Sequence, residues 1–415
     1  MSKLIRFGII GLGGRGRNNA GDVILSLPDT DITAVCDLYP DRMDMMAEVV
    51  KEKRGHDVFR SADYKDILKR EDVDAVYIAT SWESHVEIAT AAIKAGMPSG
   101  VEVGGAYNVD ELWRLVRAWE EYKTPFMFME NCCFNEQELL ATSMHRDGKF
   151  GRVVHCSGAY SHDLREEITK GNIKRHYRLR NYTNRNSENY PTHELGPIAK
   201  LLNINRGNRI TSLVSVASCA AGLEQYVKDH PELVEQDPTL KDRRFNQGDI
   251  VNTILTCAGG ETILLKLDTT LPRSYSREFN VRGTKGAYFM DTNTVFMDGD
   301  KEYWQPTAVS EHYLNSADAY REEYMPDCWL NITEEERKFG HGGMDAIMFK
   351  EFMDCLREGR DMPIDVYDAA AWMAITALSE QSILAGGAPV AVPDFTDGKW
   401  MIRPQKDVIP LGKKN

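Results

Sequence analysis

Lys3-Leu4-Ile5-Arg6-Phe7-Gly8-Ile9-Ile10-Gly11-Leu12-Gly13-Gly14-Arg15-Gly16 is the stretch on which the fold turns. Residues 3–10 form a short apolar run with a β-branched bias, suited to a strand buried on both faces. The run meets Gly11-Leu12-Gly13-Gly14-Arg15-Gly16 and then a segment that becomes helical through Val23, Ile24 and Leu25. A G-x-G-x-x-G spacing alone is weak, because glycines also fill ordinary turns. Here it follows a strand, opens a helix, and precedes a second strand, Ile32–Cys36, that ends at Asp37. Gly11 allows the tight turn, Gly13 a close backbone approach to a pyrophosphate, and Gly16 close packing of helix on strand. The helix start offers free N–H groups to the anion.

Asp37 stands 21 residues past Gly16, at the distance of a ribose-binding carboxylate. An acid there accepts a free 2′-hydroxyl and repels a 2′-phosphate, so NAD is the expected cofactor. At a strand end, this carboxylate is expected to be accessible to solvent.

The alternation of strand and helix continues. Val73–Thr80 reads as a buried strand, Ser81–His85 as a loop at its carboxyl end, and Val86–Ala95 as a helix stopped by Gly96 and Pro98. A strand near Val101–Val103 follows. Asn108 then opens a helix to about Tyr122, with Glu111 as its capping-box partner. Phe126–Glu130 reads as the last strand of this sheet. Ligands of such sheets sit outside the carboxyl ends of the strands, which brings Trp82, His85, Glu102 and Glu130 toward the cofactor. A purely structural role for each is open at this point.

Four hundred and fifteen residues suggest two domains. Lys and Arg total 50 against 63 Asp and Glu, a net charge of −13, which argues against a nucleic-acid or anionic-membrane surface. No apolar run approaches the ~20 residues of a membrane span. The first ten residues run straight into the strand pattern without a signal-peptide core, so a cytoplasmic location is expected, or a periplasmic one if an export signal has been removed. The eight cysteines include no C-x-x-C and no accompanying histidine cluster, so no metal site is expected. Cys132 and Cys133 should point to opposite sides of an extended segment, which excludes a disulfide between them.

Beyond residue 131 the texture changes. After a helix near Glu136–Met144, Arg152–Tyr160 is strand-like, and Ile250–Cys257 and Thr262–Thr269 flank Gly259-Gly260 as a hairpin. Arg277–Arg282 and Ala287–Phe289 do the same around Gly283–Gly286. Tyr367–Leu384 is an Ala-rich helix, and Asp229–Asp242 reads as a charged, Pro-containing surface loop. The expected fold class is therefore α/β. A Rossmann parallel-sheet domain (1–131) precedes an α+β domain (132–415) with a large, mostly antiparallel open sheet.

Two clusters carry chemistry. In Gly158-Ala159-Tyr160-Ser161-His162-Asp163, Tyr160 and His162 share one face of a strand. In Tyr190-Pro191-Thr192-His193-Glu194-Leu195-Gly196-Pro197, Pro191 suits a first helical turn, and Tyr190 and His193 lie on one side of it. Histidine is a base near neutral pH, whereas a tyrosine must have its pKa lowered to act as one. Packed aromatics with satisfied hydrogen bonds are the other reading.

Taken together, these residues resemble the Gfo/Idh/MocA oxidoreductases, and within them glycoside hydrolase family 109, the NAD-dependent α-N-acetylgalactosaminidase-like branch. The resemblance rests on Gly11–Gly16, Glu102-Val103-Gly104-Gly105, Met129-Glu130-Asn131-Cys132-Cys133, Gly158–Leu164, Tyr190–Pro197 with Asn203–Gly207, Pro272–Arg277, and Gly342-Gly343-Met344-Asp345. It implies NAD contacts from Gly14, Arg15, Asp37, Trp82, His85, Glu102, Val103 and Asn131. Tyr160, Arg178, Tyr190, Pro191, Thr192, His193 and Tyr275 would line a sugar site, with Glu130 and His162 beside them. The wider superfamily carries Glu-Lys-Pro after the fifth strand. Val103 and Gly104 follow Glu102 here, so that lysine is absent, as in the hydrolase branch. Glu194 departs from the branch, where Gly is usual.

The implied chemistry is transient oxidation at C3 of the sugar, removal of the acidified C2 proton, elimination of the anomeric substituent, addition of water and re-reduction. His193 is the expected base for the hydroxyl proton, and Tyr160 or His162 for the C2 proton, with Tyr190 beside them. The alternative is a plain NAD-dependent sugar or polyol dehydrogenase. The expected partner is a small glycoside or sugar, and a homo-oligomer is the expected state.

Overall fold

The computed structural model describes residues 3–300 and 315–412. The chain divides into two compact units, Met1–Phe134 with Asn331–Ala370, and Asn135–Leu330 with Ala371–Asn415. The first crossing lies within a few residues of the single cut expected at 131/132. The return of Asn331–Ala370 to the first unit was not anticipated.

The first unit holds a six-stranded, wholly parallel sheet of β1 (Ile5–Ile10), β2 (Thr30–Cys36), β3 (Phe59–Ser61), β4 (Ala75–Ile78), β5 (Ser99–Val101) and β6 (Phe126–Phe128). Its spatial order is β3-β2-β1-β4-β5-β6. That is the doubly wound order, with the switch point beside β1, where the glycine loop begins. The helix Val109–Tyr122 starts with the reciprocal Asn108/Glu111 capping box. Residues 331–370 belong here because the helix Met344–Glu358 is apolar on one face. Its Phe349 ring meets Tyr77 edge-on at 5.1 Å, and Phe352 lies 6.3 Å from Phe7.

The second unit is built on β7 (Val153–Ser161), β8 (Ile210–Ala217), β9 (Ile250–Cys257), β10 (Thr262–Asp268), β11 (Asn280–Gly283), β12 (Gly286–Phe289), β13 (Thr294–Met297), β14 (Asn315–Ser316) and β15 (Val390–Ala391). They form one nine-stranded sheet, ordered β14-β13-β12-β11-β7-β10-β9-β8-β15. All pairings are antiparallel except β7 with β10. The helix Thr192–Leu201 packs on β7, so closely that a Cβ on Gly158 would lie 2.9 Å from the Glu194 carbonyl oxygen.

Three local expectations fail. Residues 229–242 are not an irregular loop. They carry the end of the helix Gly222–Asp229, the helix Pro231–Gln236 and a 3-10 turn at Pro238–Leu240, because both prolines sit in first turns. Ser81–His85 is the N-cap and first turn of the helix Trp82–Lys94. Cys132 and Cys133 lie in a 3-10 turn, Asn131–Phe134, rather than an extended segment, and neither is in a disulfide. Among the described residues no helix is long and apolar enough to cross a membrane.

Candidate active site

In the first unit the expected cofactor residues gather at the carboxyl edge of the parallel sheet. Gly11 has φ +96°, and a Cβ there would lie 2.6 Å from the Ala79 and Thr80 backbone. A Cβ on Gly16 would lie 2.0 Å from the Gly11 carbonyl oxygen, so only glycine lets the helix start this close to β1. Gly13 and Gly14 face open space instead, with nothing within 4 Å of an added Cβ. That bare backbone at a helix start is what a pyrophosphate requires, so the loop fits a dinucleotide.

Asp37 follows β2, but it is buried rather than accessible. Its Oδ2 accepts the Leu12 N–H at 2.7 Å and its Oδ1 the Tyr39 N–H at 3.0 Å. The carboxylate expected to meet a ribose thus braces the glycine loop.

Arg15 leaves that loop to meet two carboxylates. Its Nε donates to Glu102 Oε1 at 3.0 Å, and its two terminal nitrogens reach Asp345 at 2.7 and 2.8 Å. Asp345 also accepts Asn131 Nδ2 at 2.8 Å and lies 2.8 Å from His341 Nδ1. Burial works against ionisation of Asp345, but Arg15 and His341 override it and hold the carboxyl well below the ordinary range. Tyr77 donates its hydroxyl to Glu102 Oε1 at 2.6 Å and accepts from Asn19 Nδ2 at 2.7 Å. Arg15, Glu102 and Asn131 therefore belong to one network, held by three residues that sequence reasoning gave no role: Asp345, Tyr77 and Asn19. Only Asp345 lay in a motif singled out from the sequence.

Trp82 and His85 are buried in the first turn of their helix. A Cβ on Gly104 would lie 2.3 Å from the Trp82 ring, so the indole occupies the space beside the Glu102-Val103-Gly104 turn. Burial lowers the His85 pKa to about 4, which leaves the ring neutral, with Nε2 at 3.0 Å from the Thr80 carbonyl.

In the second unit, β7, the turn before Thr192 and the segment after β10 bring five rings together. Tyr160 lies 4.6 Å from Tyr190 and 5.5 Å from His193, centroid to centroid, and Tyr190 lies 4.8 Å edge-on from His193. The Tyr160 hydroxyl is 3.3 Å from His162 Nδ1, and His162 lies 5.2 Å from Tyr275. Arg178 carries its guanidinium 5.1 Å over the Tyr190 ring and pairs with Glu167 at 2.7 Å. Burial and the nearby Arg178 cation hold His162 below its ordinary range, so it is a neutral acceptor at pH 7. Tyr275 is fixed by Arg277, whose Nη1 reaches its hydroxyl at 3.1 Å while Nε pairs with buried Glu138 at 2.6 Å. Glu138 went unnoticed in the sequence.

Pro191 and Thr192 sit at the N-terminus of the helix Thr192–Leu201 and hold Tyr190 and His193 on one side of it. Glu130 belongs to the first unit, where its Oε1 accepts the Cys132 N–H at 3.0 Å. A separate cavity of about 310 Å³ in the second unit, lined by His145, Arg152, Asn203, Arg206, Asn208 and Glu261 among others, includes none of the five rings.

Residues 134–402 match the family "Glycosyl hydrolase 109, C-terminal domain", and residues 5–129 match "Oxidoreductase family, NAD-binding Rossmann fold". An alpha-N-acetylgalactosaminidase of Tannerella forsythia is 36% identical over 425 residues, covering 96% of this chain and 88% of that protein. One from Shewanella oneidensis is 34% identical over 405 residues, covering 96% and 86%. Among solved structures, levoglucosan dehydrogenase in complex with NADH and levoglucosan aligns with a TM-score of 0.68 at 18% identity, over 94% of this chain and 100% of that one. An Agrobacterium radiobacter oxidoreductase in complex with NAD+ aligns at 0.65 and 15%, over 93% and 98%. At such identities the structural likeness shows the fold.

Proposed function

The chain belongs to glycosyl hydrolase family 109, and from that premise we propose that it cleaves an N-acetylgalactosaminide-like glycoside by transient oxidation and elimination. In this reading the Rossmann domain ending near residue 131 holds NAD and the rest of the chain carries the sugar site. The observation that carries the reaction is the Tyr160–His162–Tyr190–His193 ring cluster, two phenols and two imidazoles in mutual contact.

Bound NAD supplies the reversible hydride acceptance that turns C3 of the sugar into a ketone and back. The protein's part is geometry and proton transfer. The glycine loop and Asp37 hold the dinucleotide, and Arg178 and Tyr275 orient the sugar. His193 takes the C3 hydroxyl proton. Tyr160 takes the C2 proton, relayed to the neutral His162 at 3.3 Å. Arg178 assists by favouring the ionised phenol. Once the C2 proton is gone, the anomeric substituent leaves without the carboxylate pair on which most glycosidases depend.

The test is turnover of an aryl α-N-acetylgalactosaminide by NAD-loaded protein in D₂O. Expected are aglycone release without accumulation of NADH, deuterium at C2 of the released sugar, and retention of a label placed at C3. Transfer of the C3 label into free NADH would establish a dehydrogenase instead. His193→Ala should lower kcat by roughly 10²–10⁴ with little change in Tm, the usual span for a lost base.

A further inference from the structure

Gly340-His341-Gly342-Gly343 leads into the helix Met344–Glu358 through four positive φ angles in succession, +41°, +46°, +71° and +104°. Glycine enters that region without strain, but His341 carries a side chain there. The turn is packed on a single residue, since a Cβ on Gly340 would lie 2.3 Å from Asp345 Oδ2 and 2.6 Å from Asp345 Cβ. It thereby brings His341 into the Arg15–Asp345 network. Nδ1 of His341 lies 2.8 Å from Asp345 Oδ2, 3.1 Å from Arg15 Nη1 and 3.4 Å from Asn131 Nδ2. The arginine and amide nitrogens only donate, and a bare Nδ1 would meet the carboxylate lone pair to lone pair. Nδ1 therefore donates to Asp345, and in that tautomer Nε2 is an acceptor. Among the described residues Nε2 has no hydrogen-bond partner. The His341 side chain is 56% exposed, although the carboxylate that fixes it is wholly buried.

Strand order says which part of a dinucleotide such an acceptor meets. Asp37 follows β2, on one side of β1, whereas Glu102 and Asn131 follow β5 and β6, on the other. A dinucleotide lies across the switch point with one nucleotide on each side, and the acid after the second strand takes the adenosine ribose. His341 is joined to Asn131 and to Arg15, so it stands with the second nucleotide. Arg15 belongs to the glycine loop, at the pyrophosphate, and the unit bonded directly to the pyrophosphate is the ribose. Phosphate oxygens only accept, so an accepting Nε2 suits a ribose hydroxyl and not a phosphate. We propose that His341 is a cofactor-binding residue whose Nε2 accepts a hydroxyl of the nicotinamide-side ribose, and that the Gly340–Gly343 turn holds it in place. The proposal concerns bound NAD alone, goes beyond the glycoside reading and is tested independently of it.

Calorimetric titration of the full chain, freed of bound dinucleotide, with NAD, ADP-ribose and ADP provides the test. ADP-ribose lacks the nicotinamide, and ADP lacks the second ribose as well. His341→Asn and His341→Gly both suit a positive φ and both remove Nε2, while Arg15 and Asn131 keep Asp345 paired. Each variant should bind NAD and ADP-ribose about three- to tenfold more weakly than wild type, the span for one lost hydrogen bond, and bind ADP with unchanged affinity. If one variant fails to fold, the other gives the same readout. An equal loss for all three ligands means a disturbed glycine loop and overturns the proposal. A loss for NAD alone places the contact on the nicotinamide and overturns the ribose assignment. Unchanged NAD affinity in both variants removes His341 from the cofactor site.

Discussion

Arg15 of the glycine loop and Asp345, 330 residues later, form a two-pronged ion pair at 2.7 and 2.8 Å. The Asp345 side chain is wholly buried and also receives Asn131, so it joins two of the expected cofactor residues. Asp345→Asn should lower stability by about 1–3 kcal/mol, because the charge-assisted bonds to Asp345 weaken while Arg15 keeps Glu102. It should also weaken NAD binding measured by calorimetry. The folded-state pKa of Asp345 is depressed, so its contribution is complete above the unfolded value of ~3.9 and is lost only as pH falls further. Chemical denaturation between pH 5 and 8 should therefore show a constant difference between wild type and variant. A difference that vanishes within that range would refute the assignment.

Three glycines of the loop, Gly13, Gly14 and Gly16, separate packing from ligand space. Gly16→Ala forces a Cβ to within 2.0 Å of a backbone oxygen that cannot move aside, and should prevent stable folding of the first unit. Gly13→Ala and Gly14→Ala place their methyls in open space, so the ligand-free Tm should match wild type. Those methyls should, however, abolish the NAD-induced rise in Tm, because they occupy the space a pyrophosphate would take. A full NAD response from both would remove the loop from the cofactor site.

Asp37→Ala has two consequences, and the sequence suggested one of them. Removing the acid should narrow the preference for NAD over NADP, read by titrating each. It also deprives the Leu12 N–H of its acceptor, 2.7 Å away in a buried site. That should cost about 1–3 kcal/mol of stability. Asp37→Asn retains an acceptor oxygen and should recover most of that loss while the coenzyme preference stays relaxed.

The residues legible in advance were those whose signal is local. The glycine loop, the Asn108/Glu111 capping box and the alternation of β9 and β10 each declare themselves within a dozen residues. Residues 229–242 misled because Pro231 and Pro238 read as breakers, whereas each opens a helical turn. The placement of Asn331–Ala370 depends on Phe349 and Phe352 finding Tyr77 and Phe7, and no periodicity encodes a partner 270 residues or more away. Asp345 and Glu138 were missed for the same reason. A buried carboxylate becomes conspicuous only when its neighbours are known.

The last test concerns Arg178 and His162. Burial comes first and the Arg178 cation second in holding the His162 imidazole below its ordinary range, against the opposing pull of Glu167 and Asp163. His162 is thus neutral in the folded protein at pH values where an unfolded-chain histidine is protonated. Its unfolded form binds more protons than its folded form below pH ~6.5, so stability falls as pH drops through that window. The same displacement should place the acid limb of kcat below the usual imidazole range. Arg178→Gln removes the cation and should move that limb to higher pH, whereas Arg178→Lys keeps the charge and should leave it near the wild-type position. His162→Gln should remove the limb and lower kcat, since Tyr160 then lacks the acceptor 3.3 Å from its hydroxyl. An acid limb unchanged in both Arg178→Gln and His162→Gln would exclude His162 from the proton path and leave Tyr160 without a relay.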